Sequence, residues 1–356
     1  MMAARALLQP FSADKVNWAV LWLALFTLAA GGAHLYLSWG GQLLANPDQA
    51  YAGPFQNSLF LLGTDQLGRD VLSYLLLSCR TAWLLVFPPL IGATLLGVTT
   101  GTAAALVGND KFKLRVSDLI SFGLTLLLGL LFYPMFQWGT EKTLGNGAFS
   151  VLAYLCTFLV IGFVLLSQLL KNLLGGAKTF ALPVDAALQK IIEVWSTFPK
   201  LLLLLLLTTF TPFSILTLMG WICATYWVLP ARVARASVLQ LKQEAFFEAT
   251  TSLGLPFQRV LVNHLWPSLK GPVITNFCFA ASGLMGIGST LAYLGIGLPA
   301  DVPSWGKMLA SARLSLEAWW LFAFPALLLL ITIFSLQAMG NKYSSSKTAN
   351  SVTNHQ

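Results

Sequence analysis

The sequence predicts an all-α, polytopic membrane protein built as a bundle of transmembrane helices. Of its 356 residues, 56% are hydrophobic and only 10% are charged, whereas a soluble domain carries about 25% charged residues. Several apolar stretches reach the length of about 20 residues that a helix needs to cross a bilayer. Unbroken apolar runs such as residues 201–207 argue against a spanning β-barrel, because barrel strands alternate apolar and polar residues.

The apolar stretches predict eight spans, which lie near residues 18–38, 83–107, 117–138, 148–170, 199–219, 220–231 (extended backward), 273–296 and 318–339. Three stretches between them are expected not to span: 40–82, 178–198 and 232–271. The first apolar segment is longer than the 7–15 residues of a signal-peptide core. We therefore expect it to be retained as the first helix, with residues 1–17 and 343–356 as tails.

The distribution of Lys and Arg predicts the orientation. If the N-terminus is cytoplasmic, the outside loops carry only five of the 21 basic residues, which are Arg69, Arg80, Lys142, Lys307 and Arg313. The inside loops carry the rest, as the positive-inside rule requires. We therefore place both termini in the cytoplasm and interpret the net charge of +8 as topology, not as nucleic-acid binding.

The expected spans contain almost no ionisable residues. Proton- and ion-coupled transporters place such residues within the membrane, so the energy for any transport must come from elsewhere. The four cysteines stand singly, and their spacing supports neither a metal site nor a disulfide framework. We expect no cofactor and no metal in this chain. An embedded enzyme would need a convergent set of polar residues, and only His34 is a candidate.

Residues 244–267 predict a helix–turn–helix on the cytoplasmic side. Residues 242–253 suit a first helix, and Gly254 suits the left-handed position that ends a helix. Pro256 suits the first position of a second helix, and Pro267 marks that helix's end or kink. The first helix has small residues on one face, at Ala245, Ala249 and Ser252. Such a face suits docking in a partner's groove, although a plain surface hairpin is the alternative.

This segment resembles the EAA loop of bacterial ABC importer permeases. The resemblance rests on Glu248-Ala249-Thr250, on Gly254 six positions after the glutamate, and on His264-Leu-Trp-Pro267. Thr250 stands where alanine is usual, and Trp266 stands where leucine is usual. In that family the loop is the coupling helix that inserts into the ATPase subunit. The resemblance thus implies coupling residues at Glu244, Phe247, Glu248, Ala249, Gly254, His264 and Pro267.

Two further segments resemble the dipeptide, oligopeptide and nickel group of these permeases, C-type subunits. The first covers residues 62–71, with family residues Gly63, Thr64, Asp65, Leu67, Gly68, Arg69 and Asp70. Its glycines permit turns, Asp65 can cap the next helix, and Arg69 can pair with a carboxylate. The second covers residues 291–309, with family residues Pro303, Ser304, Trp305 and Gly306. Trp305 suits an interfacial anchor, and Gly283, Gly286 and Gly288 suit close helix packing.

The resemblance covers roughly residues 60–108 and 181–342, and includes residues 183–199, which lead into a span. It implies a type I importer transmembrane domain over residues 18–342, in a bacterial inner membrane. The implied partners are a homologous second permease, two ABC ATPase subunits that bind ATP and Mg, and an external solute-binding protein. The chain lacks the GxxxxGK[ST] phosphate loop, so we do not expect it to be the ATPase itself.

One region departs from the family. Where these permeases have a short cytoplasmic turn, residues 111–180 contain two apolar stretches flanked by lysines and an arginine. We interpret this region as an inserted transmembrane hairpin, with its tip around residues 139–147, added to six core spans. We expect it to be peripheral to the translocation pathway, so that removing residues 112–179 leaves the later spans correctly oriented.

The transported solute is the least determined property. The resemblance makes di- or oligopeptides the first choice, by family frequency alone. Nickel complexes and antimicrobial peptides are alternatives within the group. A membrane scaffold that does not transport is an alternative of another class, although a scaffold would have no need of the coupling hairpin.

Overall fold

The structure is a computed structural model, and it describes residues 13–38, 45–56, 60–109, 113–115, 121, 124–125, 161–162, 164–170, 179–181, 183–199, 202–203, 215–244, 247, 265–299, 301–315 and 317–353. The chain divides into two units. The first contains residues 1–105 and 191–356, and the second contains residues 106–190.

The described residues are mostly helical, which confirms the predicted fold class. The helices are α1 (Ala13–Ser38), α2 (Val71–Val107), α3 (Val184–Thr197), α4 (Ile215–Tyr226), α5 (Val228–Lys242), α6 (Trp266–Tyr293), α7 (Trp305–Ser311) and α8 (Trp320–Thr353). Two three-residue strands, β1 (Lys113–Arg115) and β2 (Thr179–Ala181), form an antiparallel pair. Short 3₁₀ turns occupy Pro47–Gln49 and Ala312–Leu314.

Among the described residues, five helical segments are long and apolar enough to cross a membrane: Asn17–Tyr36, Val71–Val107, Ile215–Lys242, Trp266–Tyr293 and Trp320–Ser344. The first agrees with the expected span at 18–38. Most of the expected spans at 117–138, 148–170 and 199–219 lies outside the described residues, as does the hairpin tip at 139–147. Those expectations stay predictions.

Several helices extend beyond the expected spans. The second begins at Val71 and not near residue 83, because Asp70 caps it and its first turns are packed against the rest of the bundle. At 1.5 Å per residue, its 37 residues measure about 55 Å, well over the hydrocarbon thickness of about 30 Å. The fourth and fifth helices form one near-continuous segment to residue 242, and α6 begins at Trp266, seven residues before the expected start.

The core of the first unit lies where α1, α2, α4, α6 and α8 meet. Phe26, Leu90, Met285 and Leu321 are buried there, together with Trp305 from the short helix α7. The Phe26 and Trp305 ring centroids are 5.8 Å apart. The core therefore lies around α7, in a loop that we did not expect to enter the bundle.

The second unit begins and ends at one junction. After α2 ends, Gly108 takes a left-handed conformation with φ of 68°, and the Asn109 side chain accepts a hydrogen bond of 3.1 Å from the Ala186 amide in the first turn of α3. The ribbon then pairs Arg115 with Thr179, and further along, Gly162 lies against the Thr125 side chain. The two ends of the expected insertion therefore meet.

Candidate functional site

Residues 45–56, 60–70 and 299–307 form a layer at one end of the first unit, which we call the loop platform. Two glycines of the predicted signature shape it. Gly68 has φ of 69°, and a Cβ there would lie 1.7 Å from the Asn46 carbonyl oxygen. Gly63 has φ of 83°, and its Cβ would lie 2.6 Å from the Ala52 carbonyl oxygen. Both positions require glycine, because a side chain would be strained and would collide with backbone.

Asp65 organises the turn between these glycines. Its side chain is only 4% exposed and forms an ion pair with Arg69 at 2.7 Å. Its Oδ1 accepts hydrogen bonds from the amides of Leu67 at 2.8 Å and Arg69 at 3.0 Å. The guanidinium carbon of Arg69 also lies 5.0 Å from the centroid of the Tyr74 ring. The expected pairing of Arg69 with a carboxylate is confirmed.

The residue that caps α2 is Asp70, not Asp65. Its Oδ2 accepts a hydrogen bond of 2.9 Å from the Ser73 amide and one of 2.6 Å from the Ser73 hydroxyl. The expectation that Asp65 caps the helix was wrong. Asp65 instead caps the turn before the helix, because Gly68 reverses the chain between the two carboxylates.

Thr64 connects the platform to two other segments. It is fully buried, and its Oγ1 accepts a hydrogen bond of 2.8 Å from the Ala52 amide while donating to the Gln49 carbonyl. Its own carbonyl accepts a hydrogen bond of 3.1 Å from the Trp320 indole. The signature threonine thus fixes the loop 49–52 and the start of α8.

The second signature packs directly on the first. Ser304 caps α7 by accepting a hydrogen bond of 3.2 Å from the Lys307 amide, after Pro303 in extended chain. Trp305 is 3% exposed, and its indole donates to the Leu75 carbonyl at 3.3 Å. The expectation of an interfacial anchor was wrong, because this hydrogen bond lets the indole be fully buried. Gly306 permits the contact, since a Cβ there would lie 2.2 Å from the Ser289 carbonyl oxygen.

Lys307 is a platform residue whose bonding the sequence did not predict. Its Nζ donates to the carbonyls of Pro299 and Val302, and so holds the loop before α7 closed. Burial lowers the pKa of Lys307, while Asp301 raises it and Arg69 lowers it. A basic residue after a Pro-rich loop carries no sequence signal for this role.

A cavity of about 80 Å³ lies beneath the platform, between α2, α4 and α6. Its walls are mainly apolar, and its hydroxyl groups include Ser78, Thr81 and Ser304. Ser78 donates to the Tyr74 carbonyl at 2.7 Å, and Ser304 is occupied in capping α7. The hydroxyls therefore satisfy the protein's own backbone, and the cavity offers little specific polar chemistry to a solute.

Glycines also set how the spans pack. Gly97 and Gly101 of α2 lie against α5, where a Cβ would be 2.3 Å from the Trp227 carbonyl oxygen and 2.2 Å from that of Ala231. This GxxxG pattern in an apolar helix is a known signal of close packing, although we did not recognise it from the sequence. Of the glycines expected to serve packing, Gly286 contacts Ile333, but Gly283 and Gly288 have nothing within 4 Å among the described residues.

Most of the predicted coupling segment lies outside the described residues, including Glu248, Ala249, Gly254 and His264. Glu244 is exposed in a turn after α5, and the Phe247 amide donates to its carbonyl at 2.9 Å. The helix expected from residue 242 therefore does not start there. Pro267 lies in the first turn of α6, a position that tolerates its missing N–H.

Comparison with known proteins identifies the family. Residues 172–343 match the family described as "Binding-protein-dependent transport system inner membrane component". Over this segment the chain belongs to that family. The match contains α4 to α7, most of α8, the coupling segment and the Trp305 signature. The chain is thus a multi-pass permease component of a binding-protein-dependent transport system.

Individual relatives agree with this assignment. The chain is 28% identical over 210 residues to the oligopeptide transport system permease protein OppC of Bacillus subtilis, covering 58% of this chain and 69% of that protein. It is 30% identical over 159 residues to OppC of Escherichia coli K12, covering 44% and 53%. OppC of Haemophilus influenzae is 30% identical over 158 residues, covering 44% and 51%. The chain thus spans about half the length of two of these three relatives.

Proposed function

We propose that this permease component forms half of the translocation pathway of an ATP-driven importer of di- or oligopeptides. The observation that carries the proposal is its similarity to proteins named oligopeptide transport system permeases. The proposed partners are a second permease chain, two ATPase subunits that bind ATP and Mg, and an external solute-binding protein. The proposed location is a bacterial inner membrane with both termini in the cytoplasm.

The cavity below the platform supports a pathway of low specificity. Its lining is apolar and its hydroxyls bond to nearby backbone, so it would contact peptides of many sequences without strong preference. Selection of the solute then belongs to the external binding protein. The open faces of Gly283 and Gly288 on α6 support close approach of the second permease at this helix.

Energy coupling is proposed to act through residues 244–267. Closure of the ATPase subunits would move this segment as a rigid body, and would open the pathway alternately to each side of the membrane. The described part of the segment supports this role in one respect. Glu244 is exposed just beyond the end of α5, and Trp266 is 53% exposed at the start of α6, so two spans of the bundle connect directly to it.

Uptake in intact cells tests the function. Cells that lack the chromosomal gene and carry it on a plasmid should take up labelled tripeptide and not labelled nickel, and uptake should cease when the gene is removed. Uptake of nickel alone would replace the substrate, and no dependence of any uptake on the gene would favour the scaffold.

Two substitutions test the coupling. Glu248→Arg and Gly254→Val should reduce ATPase binding or ATP hydrolysis without reducing membrane insertion. The second should do so because a β-branched residue costs about 1–2 kcal/mol in the left-handed conformation. Normal transport by both variants would exclude the proposed coupling.

A further inference from the structure

A groove opens at the platform end of the bundle, where α6 ends and α8 begins. Its volume is about 580 Å³. Its walls come from α6, α7, the turn after α7 and the start of α8, and include Tyr293, Leu309, Arg313, Ser315, Trp319 and Phe322. All of them belong to the first unit. The groove therefore combines one cationic side chain with mainly apolar and aromatic walls.

Arg313 is held in place by a ring and not by a carboxylate. Its guanidinium carbon lies 4.6 Å from the centroid of the Tyr293 ring, and its Nε donates to the Ala310 carbonyl at 3.3 Å. Glu317 is exposed four residues further on, yet within the described part of the chain the one ion pair joins Arg69 and Asp65. Stacking on an aromatic face orients a guanidinium while leaving its terminal nitrogens able to bind an anion.

Below the groove, α8 presents an exposed apolar stripe. Trp319 is 58% exposed, Phe322 61%, Leu330 50% and Phe334 63%. These residues recur at helical spacing, so the stripe runs about 22 Å along a helix with a rise of 1.5 Å per residue. Since α8 is one of the apolar helices long enough to span, the stripe crosses a large part of the membrane.

We propose that the groove binds the headgroup of an anionic phospholipid, with an acyl chain lying along this stripe. Guanidinium groups match phosphate in charge and geometry, and basic pockets between spanning helices bind anionic headgroups. Tyr293 and Trp319 lie at the level where aromatic residues meet lipid headgroups. A helix of another protein would cover the stripe but would leave the charge of Arg313 without an anion. The proposal rests on the membrane-spanning fold and not on the transported solute.

Photolabelling tests the site in the full-length chain. The chain, purified with its accompanying subunits, is placed in phosphatidylcholine nanodiscs that contain a trace of photoactivatable phosphatidylglycerol or, separately, photoactivatable phosphatidylcholine. Phosphatidylglycerol should label residues 309–322 more strongly than phosphatidylcholine does. Arg313→Gln should reduce this label about fivefold, the effect expected for one basic residue at an anionic membrane surface, while Arg313→Lys should keep most of it.

Arg80→Gln is the matched control. Arg80 lies on α2, where its Nε donates to His34 Nδ1 at 3.1 Å, and it does not line the groove. Its loss should leave the label at residues 309–322 unchanged. An equal loss in Arg80→Gln, or an unchanged label in Arg313→Gln, would overturn the proposal. Equal labelling by the two lipids in the unaltered chain would also overturn it, and that comparison needs no variant. So would a cross-link from residues 309–322 to another protein subunit in place of lipid.

Discussion

At the scale of single residues, the loop platform depends on one buried ion pair. Asp65 has 4% of its side chain exposed and Arg69 has 25%, so removing the arginine would leave a carboxylate inside with only amide donors. Such an uncompensated buried charge is strongly destabilising, whereas replacing both partners costs much less. The pair therefore fixes the turn that leads into α2.

We predict that Arg69→Met lowers the free energy of unfolding by about 3 kcal/mol, the cost of leaving a buried charge unpaired. The double variant Arg69→Met with Asp65→Asn should recover part of this loss, because a neutral amide oxygen still accepts from the Leu67 and Arg69-position amides. Thermal unfolding of the purified chain, followed by thiol-reactive dye at the buried Cys79 and Cys278, measures both. Asp48→Asn, an exposed platform carboxylate, is the control. A single variant as stable as this control would contradict the prediction.

At the scale of helices, backbone contact between α2 and α5 sets the packing. Gly97 faces Trp227 and Gly101 faces Ala231, so residue numbers increase together and the two helices run in the same direction. Parallel spans need an odd number of crossings between them. The three spans expected between residues 107 and 215 satisfy this requirement, and they stay a prediction.

We predict that Gly101→Ala separates α2 from α5 and costs about 1–3 kcal/mol, as overpacking does in a well-packed core. Its Cβ would lie 2.2 Å from the Ala231 carbonyl oxygen, and helix backbone cannot give way as a flexible side chain can. Gly220→Ala in α4 is the matched control, because nothing lies within 4 Å of its added Cβ among the described residues. The same thermal unfolding assay compares them. Equal stability of the two variants would show that the contact is not tight.

At the scale of the whole molecule, α2 connects two chemically different ends. Its Leu75 carbonyl accepts from Trp305 near the platform, and its Ala105 carbonyl accepts from the Lys242 ammonium at the other end. These carbonyls are about 45 Å apart at 1.5 Å per residue. The separation exceeds the hydrocarbon core of about 30 Å, which agrees with the expected placement of Lys307 outside and Lys242 inside.

Cysteine labelling tests this topology on a background with the four native cysteines replaced. Lys242 and Lys307 both bond to backbone, so we choose exposed neighbours, Gln243→Cys and Leu314→Cys. In intact cells an impermeant maleimide should label residue 314 and not residue 243. After the membrane is permeabilised, it should label both. Labelling of residue 243 in intact cells would exclude a cytoplasmic position for this end.

The insertion offers a second test at this scale. Because Arg115 pairs with Thr179, residues 116–178 can be replaced by an Asn-Gly turn, which suits a two-residue hairpin. We predict that this variant inserts with residue 243 still inside and that transport falls at most partly. Removing residues 117–138 alone is the control, since loss of one expected span should invert every later span. Complete loss of transport in the first variant, with assembly intact, would instead assign the insertion to the pathway.

The sequence by itself determined the solvent, the helical class and the family, because long apolar runs and the spacing of glycine, proline and charged residues are local properties. It also located the insertion, whose expected bounds of 111–180 lie close to the outer ends of the strands at Lys113–Arg115 and Thr179–Ala181. Only the tertiary structure decided that Trp305 is buried, that Asp70 and not Asp65 caps α2, and which helix meets Gly97 and Gly101. The burial of Trp305 depends on a partner distant in the chain, since Leu75 lies 230 residues away. No local pattern specifies such a partner, because burial and hydrogen-bond pairing are settled only when the whole bundle packs.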